Sequence, residues 1–255
     1  MNGSSPLRFD RPVLFGRSLA ESLEMYDLAL GDLAGRRILD CPGGPGSCAA
    51  ELAGRGIEIV ACDPMYGLPD GELKEQCERD LARTMAAIRA EPRHFGFDLD
   101  AFEAERHLAL ARFLADLGPG RAAGRYVTAS LPSLPFPDRS FDLVLSGHLL
   151  FSYAPASTGG FSSHVDFDNA FHEASLRELL RVARGEVRVF PVNRTLVPRR
   201  EHEYVAPIRS ALGREGVSSE VRPVEYERAP DGPSLLWMLR PPAGRTDAPR
   251  RSTVS

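Results

Sequence analysis

The run Arg37-Ile38-Leu39-Asp40-Cys41-Pro42-Gly43-Gly44-Pro45-Gly46-Ser47 decides how this chain is built. Arg37-Ile38-Leu39 reads as a short buried strand, and the proline and glycines that follow punctuate it at once with a tight loop. A small-residue helix from Cys48 to Leu52 comes next, ended by Gly54. Ile57 to Cys62 is a second apolar strand, closing on Asp63-Pro64. Strand, glycine loop, helix, strand is the first half of an open parallel sheet with helices on its faces.

Upstream, Ser18-Leu19-Ala20-Glu21 is a capping box that opens a helix. Leu19, Leu23, Tyr26, Leu30 and Leu33 fall on one face of it. Downstream, residues 68–118 read as helical with a break at Pro92 to Asp100, and Phe102, Leu110, Phe113, Leu114 and Leu117 form the buried stripe of the later piece. This insert is far longer than the roughly dozen residues a parallel crossover needs, so it is material for a lid or for a bulky cover on one sheet face. Further strands are expected at Tyr126–Ala129, Phe141–Ser146 and Glu186–Phe190. A helix carrying Leu176, Leu179, Leu180 and Ala183 joins the last two, and another carries Val205, Ile208 and Leu212. Ser219–Val224 and Leu235–Leu239, separated by Asp231-Gly232-Pro233, read as a closing hairpin.

The chain of 255 residues is long enough for one substantial core, and nothing divides it, so residues 1–255 are expected to form a single domain. Its ends, 1–10 and 241–255, are polar and are expected to be mobile. Apolar content of 43%, charged content of 26% and a net charge of -4 fit a globular chain without the basic footprint of a nucleic-acid binder. No apolar stretch reaches the ~20 residues that span a bilayer, and Met1 to Pro6 lacks the pattern of a signal peptide. Cys41, Cys48, Cys62 and Cys77 form no Cys-x-x-Cys pair and no zinc spacing, which suits reduced thiols in a cytoplasmic protein without a metal. The pattern carries no signal of oligomeric state.

Parallel sheets bind ligands beyond the carboxyl ends of their strands, where strand order reverses. The glycine loop, Asp63, Ser130-Leu131 and Ser146-Gly147-His148 are expected to converge there. Gly43, Gly44 and Gly46 allow a tight turn and close approach of a ligand to the backbone. The following helix points free N–H groups toward whatever binds. Asp63, ending the next strand, is placed to accept hydrogen bonds from both hydroxyls of a ribose.

Together these residues resemble the class I S-adenosylmethionine-dependent methyltransferases. Leu39-Asp40-Cys41-Pro42-Gly43-Gly44-Pro45-Gly46 is similar to their first motif, with Pro42 in place of the usual first glycine. Asp63 matches their ribose-binding acid. Leu134-Pro135-Phe136-Pro137-Asp138-Arg139-Ser140-Phe141-Asp142-Leu143-Val144-Leu145-Ser146 resembles their loop into strand four. The resemblance spans about residues 15–240. It implies a Rossmann-like fold with a seven-stranded, mostly parallel sheet, a C-terminal antiparallel hairpin and the helical insert.

S-adenosyl-L-methionine is the cofactor the resemblance implies, held by Asp40, Pro42, Gly43, Gly44, Gly46, Asp63, Pro64, Met65, Ser130, Leu131, Ser146 and His148. Ser130 stands where many members carry an aspartate for the adenine amino group, and Leu131 would pack on the adenine. His148 is the candidate base, its pKa lying near neutrality. Phe151, Tyr153, His172 and Tyr26 are candidates for the substrate pocket, with Phe15 able to close over it. The glycine-serine stretch 155–163 is either a gate or a surface insertion. The implied reaction is methyl transfer to a small molecule, which requires alignment and exclusion of water and no obligatory catalytic residue.

Two other readings compete. Gly44-Pro45-Gly46-Ser47-Cys48-Ala49 satisfies a dinucleotide pattern, as in an NAD-dependent oxidoreductase. However, Lys74, the only lysine, follows Asp70 where a Tyr-x-x-x-Lys pair would be needed. A regulator or scaffold that binds S-adenosylmethionine without methylating is motivated by Pro42 and Ser130. Hydrolase and P-loop motifs are absent.

Overall fold

The computed structural model describes residues 9–92, 96–163, 166–194, 200–226 and 233–242. Most of the two ends expected to be mobile, and the Asp231-Gly232 turn, lie outside the described residues. Seven strands form one sheet: β1 Arg37–Asp40, β2 Glu58–Cys62, β3 Tyr126–Val127, β4 Phe141–Gly147, β5 Ala183–Phe190, β6 Ser218–Val224 and β7 Ser234–Arg240. Their order is β3-β2-β1-β4-β5-β7-β6. The first five are parallel, and β7 runs antiparallel between β5 and β6. This is the Rossmann-like arrangement with a closing antiparallel hairpin that the sequence implies. Strand order reverses between β1 and β4, so the switch point lies above the carboxyl ends of those two strands.

Among the described residues six helices cover the faces: α1 Leu19–Met25, α2 Cys48–Ala53, α3 Asp70–Ala90, α4 Leu99–Ala122, α5 Asn169–Val182 and α6 Val205–Arg214. The period-2 alternation of the strands divides the core between two sides. Ile38, Ile59, Leu143 and Met238 pack under α1 to α4 with Leu52, Leu73 and Phe113. Leu39, Val60, Val144 and Trp237 pack under α5 and α6 with Leu176, Leu179 and Ile208. β7 is apolar on both faces because it lies inside the sheet. Edge strand β6 keeps Glu220, Arg222 and Pro223, which discourage pairing with another chain. Among the described residues no helix is long and apolar enough to cross a membrane.

Four local expectations change. Ala183, expected on the helix between β4 and β5, instead opens β5. The first helix stops at Met25 because Asp27 adopts φ 49°, and Leu30–Leu33 becomes a separate 3₁₀ turn that leaves Leu30 exposed. β3 is two residues long, since the chain leaves the sheet at Thr128 for the cavity rim. Phe9, expected in a loose end, is buried and bridges to Ser162. The insert forms α3 and α4 as read, with α4 running on through Pro119 to Ala122.

Candidate functional site

A cavity of about 1190 Å³ opens at the switch point. Single small-molecule sites occupy roughly 300–1,000 Å³, so this one has room for two ligands side by side. Its strand-end wall is made of the glycine loop, Asp40, Asp63-Pro64-Met65, Ser130-Leu131 and Gly147-His148.

The loop is fixed by contacts that only glycine permits. A Cβ on Gly43 would lie 2.6 Å from the Tyr66 hydroxyl and 2.8 Å from the Ala61 Cβ, and Gly44 sits at φ +54°. The Tyr66 hydroxyl donates to the Gly44 carbonyl at 2.7 Å. Asp63 clamps the same loop from the other side: its Oδ2 accepts from the Gly44 N–H at 3.1 Å and its Oδ1 from the Met65 N–H at 3.0 Å. Each carboxylate oxygen keeps a further lone pair for a ligand. The helix behind the loop contributes less than expected. α2 has six residues, and the N–H of its cap, Ser47, already donates to the Arg17 carbonyl at 2.9 Å.

Asp40 and Asp63 end adjoining parallel strands and share this wall. Burial pushes the Asp40 carboxyl up to about 7, with the Asp63 charge adding to it. Burial likewise raises Asp63 to about 6, against the pull of its two backbone hydrogen bonds. Neither makes an ion pair among the described residues. Two carboxyls in one wall with no ion pair among the described residues form a site that favours positive charge and hydroxyl donors.

Packing requires a glycine at Gly147: a Cβ there would lie 2.5 Å from the Tyr26 hydroxyl. Tyr26 is buried on the cavity, and burial lifts its pKa well above the ordinary tyrosine range. His148 follows at φ 56°, its N–H donating to the Phe190 carbonyl at 2.7 Å. Its ring stands edge-on to Phe190 and Tyr226. Burial first, then the charges of Arg17 and Arg106, hold its pKa well below the ordinary histidine value. The imidazole is therefore neutral, and its Nε2 is shut from solvent with no hydrogen-bond partner.

Other expected site residues divide. Tyr153 lines the cavity, and its hydroxyl accepts from the Val13 N–H at 2.9 Å. Phe15 also faces the cavity. Phe151, His172 and Ser146, by contrast, lie behind the wall and not on it. His172 Nε2 accepts from the Phe151 N–H at 2.8 Å, and its Nδ1 meets the Asp168 carbonyl at 2.7 Å. That pairing fixes the Nδ1–H tautomer and spends both ring nitrogens on holding the chain after β4, where Phe151 is at φ 65°. Burial also lowers the His172 pKa.

The facing wall was not read from the sequence. Residues 9–17 cross the cavity as a strap. Arg11 forms a two-pronged ion pair with Asp80 of α3 at 2.8 and 2.7 Å, and the Leu14 N–H donates to the same carboxylate at 2.9 Å. Buried Arg106 of α4 donates to the Gly16 carbonyl at 2.8 Å and pairs with Glu21, while its guanidinium lies 4.4 Å from the Phe102 ring centroid. The Tyr226 hydroxyl joins Glu21 at 3.0 Å. One signal did exist: Arg106 stands four residues after Phe102 and four before Leu110, on the apolar stripe where a solvated arginine has no place.

No protein-family model matches the chain, and no curated protein matches it. Solved structures do. Magnesium protoporphyrin IX methyltransferase from Synechocystis PCC 6803, with S-adenosylhomocysteine bound, is 15% identical over 83% of this chain and 76% of its own, with a TM-score of 0.45. A SAM-dependent methyltransferase from Methanosarcina mazei is 13% identical over 81% of this chain and 92% of its own, with a TM-score of 0.41. The [4+2]-cyclase SpnF is 16% identical over 89% of this chain and 80% of its own, with a TM-score of 0.44. Each is a distant likeness.

Proposed function

We propose that this protein binds S-adenosyl-L-methionine at the strand-end wall and transfers its methyl group to a small molecule in the rest of the cavity. The observation that carries the reading is the pair Asp40, half-buried, and Asp63, buried, on one wall beside the glycine loop, with no ion pair to either among the described residues. A ligand with an α-ammonium group, a sulfonium centre and a ribose diol meets both needs of that wall. A pyrophosphate-bearing dinucleotide would bring negative charge to Asp40, which disfavours the NAD reading.

The residues fit the cofactor. Asp63 has acceptor capacity left for ribose hydroxyls, Gly43 and Gly44 leave room against the backbone, and Leu131 offers an apolar face for the adenine. Ser130 lines the same wall and supplies a hydroxyl. The bound cofactor supplies an electrophilic methyl on a positively charged sulfur. This chain supplies enclosure and alignment. The strap, pinned at Arg11–Asp80 and at Tyr153, covers the cavity and excludes water, and Tyr26 buttresses Gly147 beside His148. With a neutral imidazole whose Nε2 is closed off, His148 is read as a packing and positioning group, and positioning alone can provide a large share of the rate.

The test is incubation of the full chain with isotopically labelled S-adenosylmethionine and a panel of small-molecule acceptors. Acceptor-dependent formation of S-adenosylhomocysteine and a labelled product supports the reading. Tight binding of the cofactor with no transfer to any acceptor would favour a regulator or scaffold.

A further inference from the structure

We propose that the wall facing the two carboxylates takes a ring-bearing small molecule that is not an anion. Its role as methyl acceptor rests on the methyl-transfer reading, whereas its ring and its lack of negative charge rest on the wall itself. The chain has thirteen phenylalanines. Phe113, Phe141, Phe151 and Phe190 are fully buried in the two cores. Phe15, Phe97, Phe102, Phe161, Phe167 and Phe171 are only half-buried, and all six line this one cavity.

Half-exposed rings gathered on an inward surface leave apolar area for a ligand to cover. Five of them form two ring groups contributed by separate parts of the chain. Phe97 and Phe102 have centroids 4.7 Å apart, with Phe15 at 5.9 Å from Phe102. Phe167 and Phe171 are 4.7 Å apart at 66°. None of these pairs is stacked face to face, so ring faces and edges remain for a further aromatic partner.

Three cations of the same wall are engaged. Arg11 is held by Asp80 and Arg106 by Glu21, while Arg17 donates to the Tyr226 hydroxyl at 3.2 Å. An anionic acceptor would lose its hydration there, would find those three cations engaged and would meet the carboxylates of Asp98 and Glu105, which make no ion pair among the described residues. Arg194, packed beside Gly159 on the cavity, makes no ion pair among the described residues, and it is the group an anionic acceptor would use.

Calorimetric titration of the full chain with 2-naphthol and with 2-naphthoate, each with and without saturating S-adenosylhomocysteine, tests this. The expected result is 2-naphthol binding at least about tenfold tighter than 2-naphthoate, a factor equal to one modest interaction. Phe97→Ala and Phe167→Ala are each expected to weaken 2-naphthol by roughly two- to tenfold, the contribution of one aromatic contact, with unchanged S-adenosylhomocysteine affinity. Absence of 2-naphthol binding to the wild-type chain, or 2-naphthoate binding as tightly or more tightly, overturns the inference. If 2-naphthol binds and S-adenosylhomocysteine does not, the ring site stands and the methyl-transfer reading falls. If the reverse holds, the methyl-transfer reading stands and the ring site falls.

Discussion

The cavity has two walls that handle charge in opposite ways. On the strand-end wall, Asp40 is half-buried and Asp63 buried, neither makes an ion pair among the described residues, and their carboxyls are raised to about 7 and about 6. On the facing wall, Arg11 and Asp80 close on each other, as do Arg106 and Glu21, among half-buried phenylalanines. The first wall keeps an electrostatic demand that a ligand must satisfy. The second has paired these four charges and offers apolar surface. A buried ion pair is a poor source of stability but a costly thing to break, whereas a lone buried carboxylate costs stability until something binds it. The wall that binds by charge is therefore strained when empty, and the wall that binds by shape is not.

Four experiments sharpen or break that contrast. The largest effect is expected at Arg106. Arg106→Ala leaves Glu21 buried without its cation and removes the tie to Gly16, so thermal or denaturant unfolding should show a loss of about 3–5 kcal/mol. A loss under about 1 kcal/mol would mean that the facing wall is not built on this pair.

Asp63→Ala comes next. It removes two acceptor positions offered to a ribose diol, and S-adenosylmethionine affinity measured by calorimetry should fall by roughly 2–4 kcal/mol. The paired variant Asp63→Asn turns an amide N–H2 toward the N–H of Gly44 or of Met65, so it should lose one loop hydrogen bond at a cost of about 1–3 kcal/mol, offset in part by removal of a carboxylate whose ionised form burial disfavours. A loss well above that range would show that the carboxylate chiefly holds the loop and does not wait for a ligand.

The third is a pH profile. Both carboxyls are raised in the folded chain, so it holds more protons than the unfolded chain between the ordinary aspartate value of 3.8 and about 7. Stability without ligand should therefore decline as pH rises through that window, by the contribution of these two groups. A cationic ligand favours the ionised forms, so its affinity should rise over the same window, by up to about tenfold per pH unit for each proton released, and level off above about 7. Affinity flat from pH 5.5 to 8 would break the link between the acid pair and the ligand.

The smallest effect is expected at His148. A general base contributes typically 10²–10⁴-fold, whereas a ring that only packs contributes less, so turnover of His148→Ala should fall by less than about tenfold. A fall of more than about 100-fold with unchanged cofactor affinity would assign His148 the proton.

The two walls also differ in how far the sequence discloses them. The strand-end wall is local in the chain: Asp40 to Gly46 and Asp63 to Met65 follow directly on β1 and β2, so apolar runs and glycines place them without knowledge of the rest. The sheet is legible for the same reason, because alternation within each strand names both faces. The facing wall joins Arg11 to Asp80, Val13 to Tyr153 and Glu21 to both Arg106 and Tyr226, contacts that no short-range period encodes. His172 shows the limit from the other side. Its place near the first turn of α5 suited a pocket residue, yet its two ring nitrogens are taken by the Phe151 N–H and the Asp168 carbonyl. A hydrogen-bonding side chain whose partner lies 21 residues away is ambiguous until the partner is known.

The most direct test of the central claim is calorimetric titration of the purified chain with S-adenosylmethionine, S-adenosylhomocysteine and NAD under identical conditions. Micromolar binding of the two adenosyl compounds and none of NAD is the predicted result. Binding of NAD alone, or of none of the three, would contradict the assignment of Asp40 and Asp63 to a cationic, ribose-bearing methyl donor.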